Sequence, residues 1–148
     1  MRQLKGSRTE QNLRAALERE ATDNRRFEYF ARRAAVEGRV AAARLFRLTA
    51  EGETAHALGH LEFLEMIDDP NPGGDVDDTR RCLHAAVASE QDGCERYPAY
   101  AAVARDEGLS EVAEWFDLLT QAKRAHVDCL VRALELLEAS DTSPRASE

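Results

Sequence analysis

Glu53-Thr54-Ala55-His56, set within Thr49-Ala50-Glu51-Gly52-Glu53-Thr54-Ala55-His56-Ala57, places a carboxylate and an imidazole three residues apart, a spacing that puts both on one face of a helix. Seventy residues later stands Lys123-Arg124-Ala125-His126, in which the histidine is kept and the glutamate is replaced by lysine. The same offset lays Leu13 on Leu83, Ala16 on Ala86, Glu20 on Glu90, Arg26 on Arg96, Phe27 on Tyr97, Glu37-Gly38 on Glu107-Gly108 and Phe46 on Phe116, without a gap. Such a match across two helices and their turn implies a duplicated helical hairpin whose copies are related by a pseudo-twofold axis.

Working outward, Ser7-Arg8-Thr9-Glu10 has capping-box spacing, which predicts a helix start. Leu13, Ala16, Leu17, Phe27, Phe30, Ala31 and Ala34 follow at helical intervals, and Gly38 closes the segment. A second helix is expected from about Val40 to Ile67, carrying Leu45, Phe46, Leu48, Ala50, Leu58, Leu61 and Leu64. Asp68-Asp69-Pro70-Asn71-Pro72-Gly73-Gly74-Asp75 holds neither helix nor strand and reads as the one long connection. A third helix is expected from near Asp78 to about Glu107, bent if anywhere at Pro98. Ser110 then caps a fourth, carrying Val112, Trp115, Phe116, Leu119, Leu130 and Leu134 to about Ala139. The expectation is a single all-α domain over 1–148: hairpin 7–67, crossover 68–78, hairpin 79–140 and polar tail 141–148, arranged as a four-helix bundle of two antiparallel hairpins.

Composition agrees. The chain has 148 residues, 43% hydrophobic and 6% aromatic, with 8 Gly and 4 Pro, which disfavours a sandwich or barrel. With 20 basic against 28 acidic residues the net charge is −8, which argues against a phosphate-binding surface and hence against nucleic acid. No apolar run reaches membrane-span length and Met1-Arg2-Gln3-Leu4-Lys5-Gly6 has no apolar signal core, so a cytoplasmic protein without a membrane partner is expected. Cys82, Cys94 and Cys129 form no C-x-x-C pair and are read as reduced thiols.

The acids and imidazoles that survive the superposition are unusual for helix cores. A four-helix bundle that binds two metal ions draws one Glu from each of two helices and one Glu-x-x-His from each of the other two. Here Glu20, Glu53 with His56, and Glu90 supply three shares, while the fourth helix offers His126 with Lys123 in place of glutamate.

At this point the chain resembles the rubrerythrins, in the short form that lacks a C-terminal rubredoxin module. The resemblance is carried by Leu4-Lys5-Gly6-Ser7-Arg8-Thr9-Glu10 with Asn12-Leu13, the Glu20 helix with Phe27-x-Tyr29-Phe30, Thr49 to Ala57, Tyr97-Pro98 and Ala104-Arg105-Asp106-Glu107-Gly108. It implies a ferritin-like four-helix bundle, a carboxylate-bridged diiron site, peroxide reduction with an external electron donor, and pairing as a homodimer. Glu20, Glu53, His56, Glu90 and His126 match the family's metal ligands. There are two departures. Lys123 stands where the family has Glu, and the third helix lacks a further ligand carboxylate and one residue before the Tyr-Pro pair; Asp92-Gly93 occupies that place. The missing residue suggests a regularised helix without a π-bulge.

Charge counting sets the weight of Lys123. Four inward glutamates balance two divalent ions, whereas three and a lysinium balance one divalent ion, or two protonated histidines and none. A lysinium has no lone pair for a metal and repels it, so the dinuclear site is read as broken at the fourth helix. One ion or none is expected in place of two. In the metal-free picture Lys123 pairs with Glu53 or Glu90; in the other, one ion sits between Glu20, Glu53 and His56. Iron, zinc and manganese all suit such donors. Asp92 and Tyr97 are possible supporting groups behind the ligands, the orientation of Asp92 being left open. His84 is read as a hydrogen-bonded core residue. His60, one turn beyond His56, would complete a zinc-binding face with Glu53 and His56, but its repeat partner Leu130 favours a core residue directed away from the axis. The functional alternatives are a peroxide-reducing oxidoreductase with an incomplete diiron site, and a metal-free or mononuclear bundle with a structural or partner-binding role.

Overall fold

The structure, a computed structural model, describes residues 4–68 and 78–142, with side chains over 4–67 and 79–139. All four expected helices are present: α1 (Arg8–Val36), α2 (Val40–Asp68), α3 (Asp78–Asp106) and α4 (Ser110–Thr142). They pair as α1 with α2 and α3 with α4, two helical hairpins of the kind that build an all-α, ferritin-like four-helix bundle. Each hairpin is a compact unit and is described by itself.

In the first, the Ser7 hydroxyl accepts from the Glu10 amide at 3.1 Å while Glu10 Oε2 reaches back to the Gly6 amide at 2.6 Å, so this variant of the capping box satisfies one amide of the first turn and one just ahead of the cap. The helix ends where Gly38 takes φ 72°: its amide donates to Ala35 O and that of Arg39 to Ala34 O, the paired bonds of a Schellman turn. The second hairpin repeats this at Gly108, φ 77°, with Gly108 N donating to Arg105 O and Leu109 N to Ala104 O. α4 starts at Ser110 itself, so the cap falls one residue earlier than expected, at Leu109, whose carbonyl accepts the Ala113 amide.

Both seams are built from alanine. Ala31, Ala34 and Ala43 are buried in the first hairpin and their repeat partners Ala101, Ala104 and Ala113 in the second, each closed off further along by Leu64 or Leu134. Small side chains let the helix axes approach. Aromatic triads beside them also repeat: Phe27, Phe30 and Phe46, and Tyr97, Tyr100 and Phe116. A hairpin buries only a narrow stripe of each helix, so Leu45, Leu48, Leu58, Val112 and Trp115 are exposed. α3 is α-helical throughout 78–106 and passes through Pro98 unbroken, as the regularised reading expected. Asp68 and Asp78, the ends of the expected crossover, are helical, while 69–77 lie outside the described residues. α4 continues past Ala139 to Thr142, and the rest of the tail also lies outside them. No helix among the described residues is long and apolar enough to cross a membrane.

Asn24 was not singled out by the sequence, yet it is buried, and its amide donates to Ala50 O at 2.7 Å and Thr54 Oγ1 at 2.8 Å. It ties α1 to α2 one turn from Glu20 and beside Glu53. Asn24→Ala should lower unfolding stability by about 1–3 kcal/mol, since it removes two hydrogen bonds that tie the helices together at a buried position; chemical denaturation measures this.

Candidate metal centre

Glu20 on α1 faces Glu53 and His56 on α2, and one ligand atom from each lies within 4.8 Å of the others. Glu53 and His56 share a face because they are three residues apart. His56 Nδ1 is 3.4 Å from Glu53 Oε2. Glu20 Oε2 is buried and makes no hydrogen bond, an arrangement that is costly for a carboxylate unless another group completes it. An orphaned carboxylate oxygen next to a second carboxylate and an imidazole is a donor set that fits a divalent transition ion.

The second hairpin has the same framework with one group changed. Side-chain exposures are 23% and 19% for Glu20 and Glu90, 22% and 23% for Glu53 and Lys123, and 62% and 63% for His56 and His126, so the two triplets occupy equivalent places. Here the polar groups satisfy one another: Lys123 Nζ donates to Glu90 Oε1 at 2.8 Å and His126 Nδ1 lies 3.0 Å from Oε2. Of the two carboxylates expected for the lysine, Glu90 is the partner. The ammonium also lies 5.9 Å from the centre of the Tyr97 ring, within range of a cation–π contact.

These contacts shift both protonation equilibria. The Lys123 hydrogen bond, then that of His126, holds the Glu90 carboxyl below its ordinary 4.5, while the Glu90 hydrogen bond, opposed by burial, holds Lys123 above its ordinary 10.5. A lowered carboxylate stabilises the fold above 4.5 and loses this as pH falls through its folded value; a raised ammonium stabilises below 10.5 and loses this as pH rises through its folded value. Wild type should therefore melt above Lys123→Met at neutral pH, with the difference closing at both extremes in a pH series of thermal melts.

Gly93 explains how the lysine is accommodated. The glycine is buried, and a Cβ there would stand 2.9 Å from Lys123 Cε and closer still to Cδ. The lysine stem lies across the bare backbone of α3. Its repeat partner is Asp23, which pairs with Arg26 at 3.5 Å and Arg19 at 3.8 Å. The available signal was a lone glycine inside a helix, which is unfavourable by about 1 kcal/mol relative to alanine and so asks for a packing reason.

The remaining expected residues fall as follows. Asp92 is exposed and paired with Arg96 on its own helix at 2.6 Å, one turn away, so it turns away from Glu90 and does not support it. Tyr97 packs in the aromatic triad and faces Lys123 with its ring. His84 is exposed and not a core residue, because its helix position falls off the alanine seam. His60 is corrected too: its Nε2 stands 3.3 Å from Glu20 Oε2, facing α1.

An all-α chain with carboxylates and imidazoles convergent between paired helices defines a ferritin-like protein with a candidate non-haem metal locus. The family model described as Rubrerythrin matches it twice, over 11–77 and 81–147, and the two matches are offset by the same 70 positions as the internal repeat. A rubrerythrin of Nitratidesulfovibrio vulgaris is 37% identical over 131 residues, covering 85% of this chain and 69% of its own. One from Porphyromonas gingivalis is 33% identical over 150 positions, covering 98% and 75%, and rubrerythrin-1 of Clostridium acetobutylicum is 33% identical over 137, covering 85% and 69%. The chain belongs to the rubrerythrin family, and by that membership is a rubrerythrin-like non-haem iron protein.

Proposed function

We propose that the protein holds a single divalent ion in its first hairpin, at Glu20, Glu53 and His56, and that Lys123 supplies a fixed positive charge where the repeat would place another ligand carboxylate. The observation that carries this is the contrast between the hairpins: Glu20 Oε2 is buried without a hydrogen bond, whereas both oxygens of Glu90 are engaged by Lys123 and His126. Charge supports it as well. Glu20 and Glu53 match one divalent ion, and Glu90 and Lys123 neutralise each other, so each hairpin balances separately.

Family membership makes iron the favoured ion, with zinc and manganese as competitors for the same donors. Bound iron supplies one-electron redox chemistry, and reduction of hydrogen peroxide to two waters takes two electrons and two protons, so an external donor is required. The chain's own residues set the rest. His56 is mostly exposed, which leaves a small oxidant a path from solvent to this face. Lys123 stays protonated on Glu90, so the second hairpin attracts no cation of its own.

A metal-free reading is favoured by one observation, the self-satisfied Glu90 cluster. Metal analysis of full-length protein produced with ample iron distinguishes the two. About one ion per chain, with a melting temperature that falls on chelation, is expected, because a ligand that binds only the folded state stabilises it. No bound metal and a melt indifferent to chelator would establish the metal-free bundle.

A further inference from the structure

We propose that His60 is a fourth protein donor to the ion in the first hairpin, so that Glu20, Glu53, His56 and His60 form a set of two carboxylates and two imidazoles for one first-row divalent cation. This rests on the single-ion reading above and adds a ligand that the Glu-x-x-His pattern does not contain. His60 is four residues beyond His56 and seven beyond Glu53, so the three occupy one face of α2.

Distance carries the argument. Two donors that each lie about 2.0–2.1 Å from one ion, at angles of roughly 90–109°, stand about 2.8–3.4 Å apart. His60 Nε2 and Glu20 Oε2 are 3.3 Å apart, and Oε2 makes no hydrogen bond. His56 Nδ1 and Glu53 Oε2 are 3.4 Å apart. Each imidazole thus stands against one carboxylate oxygen at a separation that neighbouring donors allow; the His56–Glu53 contact is also a long hydrogen bond, whereas Glu20 Oε2 has none. The second hairpin is the internal comparison. There Lys123 and His126 each engage one oxygen of Glu90, at 2.8 and 3.0 Å, so neither oxygen is left over, and the residue seventy beyond His60 is Leu130. The imidazole occurs where the carboxylate oxygen has no hydrogen bond, and leucine occurs where lysine already provides one.

Burial points the same way. The His60 side chain is 25% exposed against 62% for His56, so His60 is the better shielded of the two imidazoles. Glu20, Glu53 and His56 offer ligand atoms within 4.8 Å of one another; His60 stands outside that group, against Glu20 Oε2, and a side-chain rotation toward Glu53 and His56 brings it onto the same ion. Two imidazoles with carboxylates are a donor set for iron, cobalt, zinc or manganese. All four donors belong to α1 and α2, which removes any need for a ligand at position 123.

The test is a cobalt(II) titration of the full-length protein, read by visible absorption and by zinc competition, for wild type, His60→Leu and His60→Gln. Leucine is chosen because the second hairpin carries it at the same register; glutamine keeps a polar group there should leucine perturb folding. The expected result is one ion in wild type, an affinity about 10- to 100-fold weaker in both variants, an altered absorption band, and a metal-bound imidazole count, from X-ray absorption, that falls from two to one. Unchanged affinity, band and imidazole count in a folded variant would overturn the role of His60 and leave the single-ion site standing. A wild-type chain that takes up no cobalt or zinc would overturn both.

Discussion

Lys123→Glu raises the metal content of the protein from about one ion per chain to about two, because it gives the second hairpin the two carboxylates and the imidazole that correspond to Glu20, Glu53 and His56, with Leu130 at the place of His60. Glu90 and His126 already occupy the places of Glu20 and His56, with closely matching exposures. The group that differs is an ammonium, which cannot donate a lone pair and repels a cation. With a carboxylate at 123, Glu90 loses its hydrogen-bonding partner and gains a like charge opposite it. The metal-free variant should therefore melt below wild type, and added iron, zinc or cobalt should restore much of the difference. Metal analysis and melts with and without chelator measure both effects. If neither metal content nor metal-dependent stability rises, the shortened third helix, and not the lysine, is what closes the second hairpin.

Gly93→Ala changes sign with the residue at 123. Replacing glycine by alanine inside a helix ordinarily stabilises by roughly 0.5–1 kcal/mol. In wild type the new methyl meets the Lys123 stem, and crowding of this kind is unfavourable by about 1–3 kcal/mol. Relief requires the lysine to swing off Glu90, which strips that carboxylate of its closest partner. The substitution should therefore be destabilising overall with Lys123 present and stabilising in a Lys123→Ala background. A double-mutant cycle by chemical denaturation isolates this coupling. The same sign in both backgrounds would show that the lysine has room without the glycine.

The two sites differ in how far they could be read from the chain. Capping box, Schellman glycines and the 70-residue offset are local or periodic signals, and each predicts the backbone observed. The two equivalent triplets were legible because Glu53 and His56 share a helix face by spacing alone and the repeat carries that face to Lys123 and His126. Asp92 shows where spacing runs out: it lies two residues from Glu90, 100° per residue around the helix, and its carboxylate finds Arg96 one turn on in place of the cluster. Asn24 gave no signal, since its value lies in reaching Ala50 O and Thr54 on the neighbouring helix.

By itself the sequence determined four helices in two duplicated pairs, the acids and imidazoles set along them, and the lysine that stands in place of a glutamate in the second pair. Periodicity fixes a side chain's direction around its own helix, and a gapless repeat fixes which residues correspond. The tertiary structure alone decided that Lys123 takes Glu90, that it lies across Gly93, and that His60 turns to Glu20. Those outcomes depend on how closely two alanine-lined helices approach and in which rotamer a long side chain crosses between them, and no spacing along one chain encodes that distance.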